Sequence, residues 1–273
     1  IPQESEIMAW NYILSIDGVS ITGSALGNPF TIRELPADKQ YKLTVLSKDN
    51  TTQYSTVSGT IADGSKANAS QYKGAFQDNL RKLLAENDSL TWLFMGDSIT
   101  HAAAHTHGYD GIAQIFEKYI KEDLARTDDL VINTAVSGAT CERTLQNIEQ
   151  RMGKYKADIV SVMLGTNDTV SSDVYASQLR EIVSAIKESN PDAMIVFRTP
   201  TPAKNPTYAG RPPKVAEQMK AIADNDANIL LIDQYTQWNQ EFSAYPYLYT
   251  SGYYFGDGSL HPGSAGQLRM FQQ

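Results

Sequence analysis

Ser98 follows the apolar run Trp92–Met95 after one glycine and one aspartate, in the order Gly-Asp-Ser-Ile-Thr. A serine at the end of a buried strand can attack a carbonyl carbon, provided that a general base activates its hydroxyl and donors receive the negative charge that develops. Candidates for these roles lie downstream: Gly138 and Asn167 can supply donors, and His261 can act as the base. This set of residue types predicts acyl transfer through a serine if the fold brings the four residues together.

The elements that must position these residues follow from an alternation of apolar runs and amphipathic stretches. Five runs are predicted to be strands: Trp92–Met95, Leu130–Asn133, Ile159–Leu164, Met194–Arg198 and Ile229–Ile232. Helical spacing predicts helices near 75–84, 108–126, 141–152, 172–189 and 211–225, and a last one from about Gly263. Buried strands joined by helical crossovers are typical of a parallel, doubly wound α/β sheet. Ligands bind at the carboxyl ends of such strands, where the four candidate residues are expected.

The N-terminal part has a different pattern. Short alternating segments, Tyr12–Ile16, Phe30–Ile32 and Tyr41–Val45, are separated by turn residues and predict β-strands. Leu35-Pro36 followed by Tyr41 resembles the tyrosine corner of a fibronectin type III module, which is a β-sandwich. The segment is too short for all of its strands, which indicates an abbreviated module. With a polar linker near 62–66, we expect a small all-β domain over 1–64 and a catalytic domain over 65–273.

The overall composition excludes several classes of function. The net charge is −8 and there is no long Lys/Arg cluster, so nucleic acid is not an expected partner. Cys141 is the single cysteine, which excludes an internal disulfide and a multi-cysteine metal centre. No apolar run reaches the roughly 20 residues that a membrane helix needs. The chain starts at Ile1 and ends soon after His261, and we expect it to be part of a larger modular protein that is secreted or displayed at the cell surface.

Four short blocks together resemble the SGNH, or GDSL-type, hydrolase family over about residues 90–270. They are Gly96–Thr100, Asn133–Thr140, Gly165–Asp168 and Asp257–Pro262, and they occur in the family's order. The resemblance implies a three-layer α/β/α fold with a five-stranded, flavodoxin-like parallel sheet. It also implies a serine esterase that needs neither a metal ion nor an organic cofactor.

The resemblance assigns a role to each candidate residue. Ser98 would be the nucleophile and His261 the base, which takes the serine proton and returns it to the leaving alcohol. The oxyanion hole would comprise the backbone N–H groups of Ser98 and Gly138 and the side-chain amide of Asn167. Outside this context, Gly138 would be interpreted as a turn glycine and Asn167 as a capping residue.

Two positions depart from the family pattern. Ala135 stands where the family usually has a glycine, which changes the local backbone freedom but leaves the donor glycine in place. The orienting aspartate usually lies three residues before the histidine, a position that Gly258 occupies here, so Asp257 is one residue too early. Either Asp257 still reaches His261 through an extra loop residue, or a backbone carbonyl orients the imidazole and leaves a dyad.

Other reactive residues lie within the four blocks or next to them. Asp97 is expected to brace the serine turn, and Asp168 to support the loop that presents Asn167. Cys141 lies close to Gly138 in sequence, but no histidine adjoins it, and a small buried structural role is expected.

Histidines and tyrosines are candidates for substrate contact. His101, His105 and His107 crowd the loop after Ser98 without a recognised metal spacing, so substrate contact by His105 and His107, or ordinary loop structure, is expected rather than metal binding. Tyr253 and Tyr254 belong to an aromatic cluster before His261. Such rings suit stacking on sugars, although they can equally pack or close a loop.

The sequence therefore predicts a serine esterase that acts through an acyl-enzyme, and it favours O-deacetylation of a carbohydrate or glycoconjugate. The enzymatic alternative is a lipase or lysophospholipase of the same family. A noncatalytic glycan-binding module with a decayed triad is the alternative from another class. The enzymatic interpretations differ from the noncatalytic one in geometry, because a working triad requires the Asp257 carboxylate to reach His261 while His261 faces Ser98.

Overall fold

The computed structural model describes residues 9–16, 19–26, 40–47, 50–51, 53–60, 74–87, 89–226 and 228–273. The chain divides into two compact units, Ile1–Gln71 and Tyr72–Gln273. The predicted linker at 62–66 lies outside the described residues. The domain boundary at residue 64 therefore stays a prediction.

The N-terminal unit contains one antiparallel sheet of four strands in the order β2-β1-β3-β4. The strands are β1 (Ala9–Ile16), β2 (Val19–Leu26), β3 (Gln40–Leu46) and β4 (Gln53–Thr60). β1 and β3 contain the first and last of the predicted strands. The predicted strand Phe30–Ile32 and the pair Leu35-Pro36 lie outside the described residues, so the likeness to a fibronectin module stays a prediction.

The C-terminal unit contains a sheet of five parallel strands in the order β6-β5-β7-β8-β9. The strands are β5 (Thr91–Gly96), β6 (Leu130–Asn133), β7 (Ile159–Met163), β8 (Met194–Arg198) and β9 (Ile229–Ile232). This is the flavodoxin-like order of doubly wound folds, and it confirms the predicted fold class. The order reverses beside β5, and this reversal creates a crevice at the carboxyl ends of the strands.

Eleven α-helices accompany the strands among the described residues. They are α1 (Gly74–Glu86), α2 (Ser98–His101), α3 (Ile112–Glu122), α4 (Cys141–Leu145), α5 (Ile148–Arg151), α6 (Ser172–Ser189), α7 (Pro206–Ala209), α8 (Pro212–Ala223), α9 (Gln234–Ala244), α10 (Pro246–Thr250) and α11 (Ser264–Phe271). None of the described helices has the length and apolar character to cross a bilayer.

Both faces of the five-stranded sheet are covered, because side chains alternate in direction along each strand. Leu93 of β5 belongs to a buried cluster with Leu179 of α6 and Met219 of α8. Phe94, the next residue, belongs to a separate buried cluster with Trp238 of α9. The central strands β5, β7 and β8 are therefore buried on two sides, which is why their sequences are nearly continuous apolar runs.

The helices deviate from the sequence prediction in several places, and the four-residue helices α2 and α7 were not predicted. The predicted helix 141–152 is divided into α4 and α5, and Asn147, between them, donates a side-chain hydrogen bond to the carbonyl oxygen of Arg143. The stretch that follows β9 forms α9 and α10, which were not predicted. Asp233 caps α9 by accepting a hydrogen bond from the Thr236 N–H at 3.1 Å. An aspartate at this position is a sequence signal for the start of a helix, but the residues that follow are only weakly amphipathic, so the helix was not predicted.

Candidate active site

Three predicted site residues follow three adjacent strands at the carboxyl edge of the parallel sheet. Ser98 follows β5, Gly138 follows β6 and Asn167 follows β7. The loops after β6 and β7 are joined directly, because the Asn167 side-chain amide donates to the Ala139 carbonyl oxygen at 3.0 Å. The fourth residue, His261, lies just before α11 and approaches the same edge. The topology thus brings the four residues together, as the sequence predicted.

The turn that carries Ser98 is constrained on both sides. Asp97 caps the short helix α2, with its Oδ1 accepting a hydrogen bond from the Ile99 N–H at 2.9 Å. Gly96 leaves no room for a side chain, since a Cβ there would lie 2.7 Å from the Met163 carbonyl oxygen on β7. Ser98 is the first residue of α2, and its hydroxyl is held at the end of the strand. The expectation that Asp97 braces the turn is confirmed.

Ser98, His261 and Asp257 form a continuous hydrogen-bonded chain. The distance between Ser98 Oγ and His261 Nε2 is 2.9 Å, and that between His261 Nδ1 and Asp257 Oδ2 is 2.7 Å. A carboxylate on Nδ1 requires the proton there, so Nε2 is free to accept the serine proton. The extra loop residue, Gly258, has a φ of 77°, a conformation that favours glycine. Asp257 therefore orients the imidazole, and the geometry required of a working triad is present.

The Asp257 carboxylate also organises its own loop. Its Oδ1 accepts hydrogen bonds from the N–H groups of Ser259, Leu260 and His261 at 2.9, 2.8 and 3.1 Å. Partial burial acts to raise the pKa of Asp257, but these N–H groups and the His261 ring outweigh it and hold the pKa well below its usual range. The carboxylate is consequently ionised throughout the range in which an esterase would work.

A brace from the β8 side holds this loop, and the sequence carried no signal for it. The backbone N–H groups of Lys204 and Asn205 donate to the Ser259 carbonyl oxygen at 2.7 and 3.2 Å. These are main-chain contacts between segments more than fifty positions apart in sequence. The types of the side chains do not predict such main-chain contacts. The contacts fix the tip of the loop on which Asp257 and His261 lie.

Three N–H donors are available for an oxyanion. Among the described residues, the N–H groups of Ser98 and Gly138 donate to no other group. Gly138 has a φ of 75°, which fits its role as a turn glycine that exposes its N–H. Asn167 uses one amide hydrogen for the Ala139 carbonyl and has a second to offer. Ala135 does not adopt a positive φ, so alanine is tolerated where the family usually has glycine.

Removing one of these donors should slow turnover. Asn167→Ala is expected to lower kcat by about a hundredfold to a thousandfold with a small change in KM, because an oxyanion donor acts mainly in the transition state. Hydrolysis kinetics with p-nitrophenyl acetate measure the effect. The matched control is Asn225→Ala, an exposed asparagine that donates to the Ala221 carbonyl. A loss below threefold would show that the Asn167 amide is not an oxyanion donor.

Buried acids lie beneath the catalytic loops. Complete burial raises the pKa of Asp97 to about 6, although the Ile99 N–H acts to lower it. Asp168 accepts a hydrogen bond from the Cys141 N–H at 2.9 Å, and burial also raises its pKa. This bond ties the Asn167 loop to α4, as expected for a supporting residue. Burial, followed by the neighbouring Asp168, raises the pKa of the Cys141 thiol well above its usual value, so the thiol is neutral and structural.

The raised pKa of Asp97 predicts a pH-dependent stability. The folded protein holds this proton up to about pH 6, whereas an unfolded chain releases it near 3.8. The stability that protonated Asp97 contributes is therefore full below 3.8 and is lost as the pH rises through 6. Asp97→Asn keeps the cap without the charge, and it should raise the free energy of unfolding at neutral pH by up to about 3 kcal/mol.

Urea unfolding at several pH values tests this expectation. The variant should lose less stability than the wild type between about pH 4 and pH 7. Asp192→Asn, a change at an exposed position, serves as the control. Parallel pH profiles for the wild type and Asp97→Asn would contradict the assignment of a destabilising charge to Asp97.

Two of the three loop histidines lie at the site. The ring of His105 is stacked on that of His261, with the centroids 4.0 Å apart. His107 donates through Nε2 to the Gly256 carbonyl oxygen at 3.2 Å, beside the His261 loop. His101 lies 3.1 Å from the Ser137 hydroxyl through Nδ1. The stack of His105 on His261 was not predicted, because it depends on how a loop after β5 meets the segment before α11.

The two candidate tyrosines differ in exposure. Tyr253 is 39% exposed and can present its ring to a ligand. Tyr254 is only 1% exposed, and its hydroxyl donates to Glu241 Oε2 at 2.9 Å. The predicted substrate contact for Tyr254 is wrong, because the ring packs against Trp238 in the core. Aromatic residues before the histidine carried no sequence signal that separated these two roles.

One group of possible metal ligands exists among the described residues. His105, Asp257 and His261 have ligand atoms within 4.8 Å of one another. Both nitrogens of His261 are engaged with Ser98 and Asp257, and Asp257 Oδ1 serves three N–H groups. A cation could bind only by breaking these bonds. The arrangement fits proton transfer better than metal coordination.

Comparisons with known proteins concern mainly the C-terminal unit. A sequence model described as the GDSL-like Lipase/Acylhydrolase family matches residues 94–269. A curated protein of Mycoplasma pneumoniae, described as uncharacterized, is 31% identical over 128 residues, which are 44% of this chain and 14% of that protein. The chain thus matches only a small part of that relative.

Solved structures share the fold at low sequence identity. A lipase/acylhydrolase from Enterococcus faecalis is 19% identical with a TM-score of 0.53, covering 67% of this chain and 92% of its own. A catalytic mutant of an acetylxylan esterase from Geobacillus stearothermophilus is 22% identical with a TM-score of 0.55, covering 67% of this chain and 91% of its own. The fold described above, a five-stranded parallel sheet with helices, is therefore one that solved hydrolase structures share.

Proposed function

The chain belongs to the GDSL-like lipase/acylhydrolase family and is an ester hydrolase, and we propose that it acts as a serine esterase. It forms an acyl-enzyme on Ser98 and removes O-acetyl groups from carbohydrates or glycoconjugates. The observation that carries the proposal is the hydrogen-bonded chain from Ser98 through His261 to Asp257. A chain of this kind activates a hydroxyl that is otherwise too weak to attack an ester.

These contacts support each step of the proposed reaction. Ser98 Oγ attacks the ester carbonyl carbon as its proton passes to His261 Nε2, 2.9 Å away. The carbonyl π electrons move to the oxygen, and the resulting oxyanion receives hydrogen bonds from the Ser98 and Gly138 N–H groups and the Asn167 amide. The tetrahedral intermediate collapses, the bond to the alkoxy oxygen breaks, and His261 gives its proton to the leaving alcohol. Asp257 stabilises the transient imidazolium.

Deacylation repeats these steps with water as the nucleophile. A water molecule gives a proton to His261 Nε2 while its oxygen attacks the acyl carbon on Ser98. The second tetrahedral intermediate breaks the bond to Ser98 Oγ, which takes back the proton from His261. The products are a carboxylic acid and the free enzyme, and no redox or metal chemistry enters the balance.

The preference for a sugar alcohol is supported by an exposed aromatic residue shortly before the catalytic loop in sequence. Tyr253 is 39% exposed, whereas the ring of the equally exposed Tyr249 has the Lys204 ammonium over one face. Exposed aromatic rings provide flat apolar faces on which sugar rings stack. His107, exposed beside Gly256, adds a polar group next to the segment that carries His261. One of the similar structures is named an acetylxylan esterase, which makes an acetylated polysaccharide a reasonable first substrate to test.

The test compares classes of ester with the purified protein. Acetylated xylo-oligosaccharides, p-nitrophenyl acetate and p-nitrophenyl palmitate are supplied at equal concentrations, and the release of acid is followed. Acetyl esters should be hydrolysed with the highest kcat/KM. Mass spectrometry of protein quenched during turnover should show one acetyl group on the peptide that contains Ser98.

Other results would support the alternatives. A preference for the palmitate ester would favour a lipase-type acylhydrolase. Labelling of Ser98 by a fluorophosphonate without turnover of acetylated sugars would retain the serine esterase and reject the carbohydrate substrate. No turnover of any ester and no labelling at Ser98 would favour a noncatalytic module.

A further inference from the structure

A second imidazole lies against the catalytic one. The rings of His105 and His261 are stacked, with their centroids 4.0 Å apart and their planes inclined by 16°. His261 already uses both of its ring nitrogens, Nε2 toward Ser98 and Nδ1 toward Asp257. His105 therefore contacts the face of the ring, which takes no part in the hydrogen-bonded chain.

Backbone contacts hold His105 in this place. Its main chain passes so close to Gly256 that a Cβ on Gly256 would lie 2.0 Å from the His105 carbonyl oxygen. His107, two residues later, donates a hydrogen bond to the Gly256 carbonyl oxygen. The Gly256 N–H in turn donates to the His261 carbonyl oxygen at 2.8 Å. The His105 loop and the segment with His261 thus meet at a residue that only glycine can fill.

We propose that His105 is a positioning residue for the catalytic imidazole. An aromatic ring against its face restrains His261 from turning out of the plane that joins Ser98 to Asp257. The π electrons of a neutral aromatic ring also attract a cation above its face, so His105 stabilises the imidazolium that forms when His261 takes the serine proton. The proposal rests on the proposed function, because the proton transfer it concerns is that of the serine esterase.

The charged groups around His105 determine when it can act. His261 and Asp257 face it from the segment before α11, and His107 lies on its own loop. Burial lowers the pKa of His105, and His261 and His107 lower it further, while Asp257 acts in the opposite direction. Two stacked imidazoles repel each other when both carry a proton. His105 is consequently neutral in the active enzyme, and its protonation in acid opposes the imidazolium at His261.

Kinetics of two variants test the proposal. His105→Ala removes the stacked ring, and it is expected to lower kcat for p-nitrophenyl acetate roughly three- to tenfold with little change in KM. His105→Phe keeps an aromatic face that cannot take a proton. Its kcat should stay within about twofold of the wild type, and the acid limb of its pH profile should lose one ionisation. Tyr109→Ala, at a position 62% exposed in the same loop, is the matched control.

Proton NMR of the His261 ring gives a readout that does not require turnover. The Nδ1–H proton that His261 shares with Asp257 should exchange with water faster in His105→Ala than in the wild type, because the His261 ring is less restrained there, and His105→Phe should restore slow exchange. Equal exchange rates in the three proteins would overturn the proposal. So would a rise in KM alone for His105→Ala, because His105 would then contact the substrate. Failure of the proposed function would be seen separately, as a wild-type protein that neither hydrolyses esters nor labels at Ser98.

Discussion

Ser98→Ala is expected to lower kcat for ester hydrolysis by roughly 10⁴- to 10⁶-fold while the fold is retained. The variant has no atom that can form the acyl-enzyme, and the oxyanion donors alone leave only a residual rate. The side chain of Ser98 makes its hydrogen bond to His261, whereas the cap of α2 belongs to Asp97. The melting temperature should therefore be nearly unchanged.

The measurement pairs steady-state kinetics on p-nitrophenyl acetate with fluorophosphonate labelling. Wild-type protein should be labelled at Ser98, and the variant should take up no label. Ser172→Ala, at the start of α6, is the matched control and should retain wild-type activity. Activity within tenfold of the wild type in Ser98→Ala would mean that another group is the nucleophile, and the acyl-enzyme would have to be assigned elsewhere.

Asp257→Asn should produce the second large loss, roughly 10²- to 10⁴-fold in kcat, with little effect on stability. Asparagine retains one carbonyl oxygen for the N–H groups of Ser259, Leu260 and His261, so the loop keeps its shape. Its amide cannot balance an imidazolium charge, and an N–H facing His261 Nδ1 favours the wrong tautomer. The fall in kcat should exceed any change in KM.

Asp257→Ala separates the two tasks of this carboxylate. The alanine variant leaves three loop N–H groups without their acceptor, so its melting temperature should fall as well as its activity. Thermal unfolding of both variants, measured beside their kinetics, shows the difference. Full activity in Asp257→Asn would favour orientation of His261 by a backbone carbonyl, and equal melting temperatures for the two variants would contradict the loop-organising role.

Sequence patterns predicted those parts of the molecule that depend on local order along the chain. All five parallel strands were found because each is a nearly continuous apolar run, as at Ile159–Met163, which is buried along its whole length and contains one polar residue, Ser161. Ser98, Gly138 and Asn167 were placed correctly because each follows such a strand. The carboxyl ends of parallel strands share one edge, so the order of elements alone brought these three together.

Contacts between distant segments escaped prediction. Asp257 lies one residue earlier than the usual interval before the histidine. That interval does not reveal the three N–H groups that fold the Asp257 loop back toward His261. Tyr254 and Tyr253 are adjacent and alike in type, and only the packing of α9 decides that one is buried. The stack of His105 on His261 depends on a backbone approach at Gly256, which a sequence does not encode in any periodic pattern.

The loop around Asp257 bears on how such enzymes diverge. Its carboxylate is anchored by main-chain N–H groups, which every residue type except proline supplies, and Gly258 alone needs a special conformation. A lineage could therefore gain or lose one residue between the acid and the base in a single mutational step without passing through an inactive ancestor. Searches that demand a fixed interval between these two residues would discard working descendants, whereas a criterion based on the anchored carboxylate would keep them.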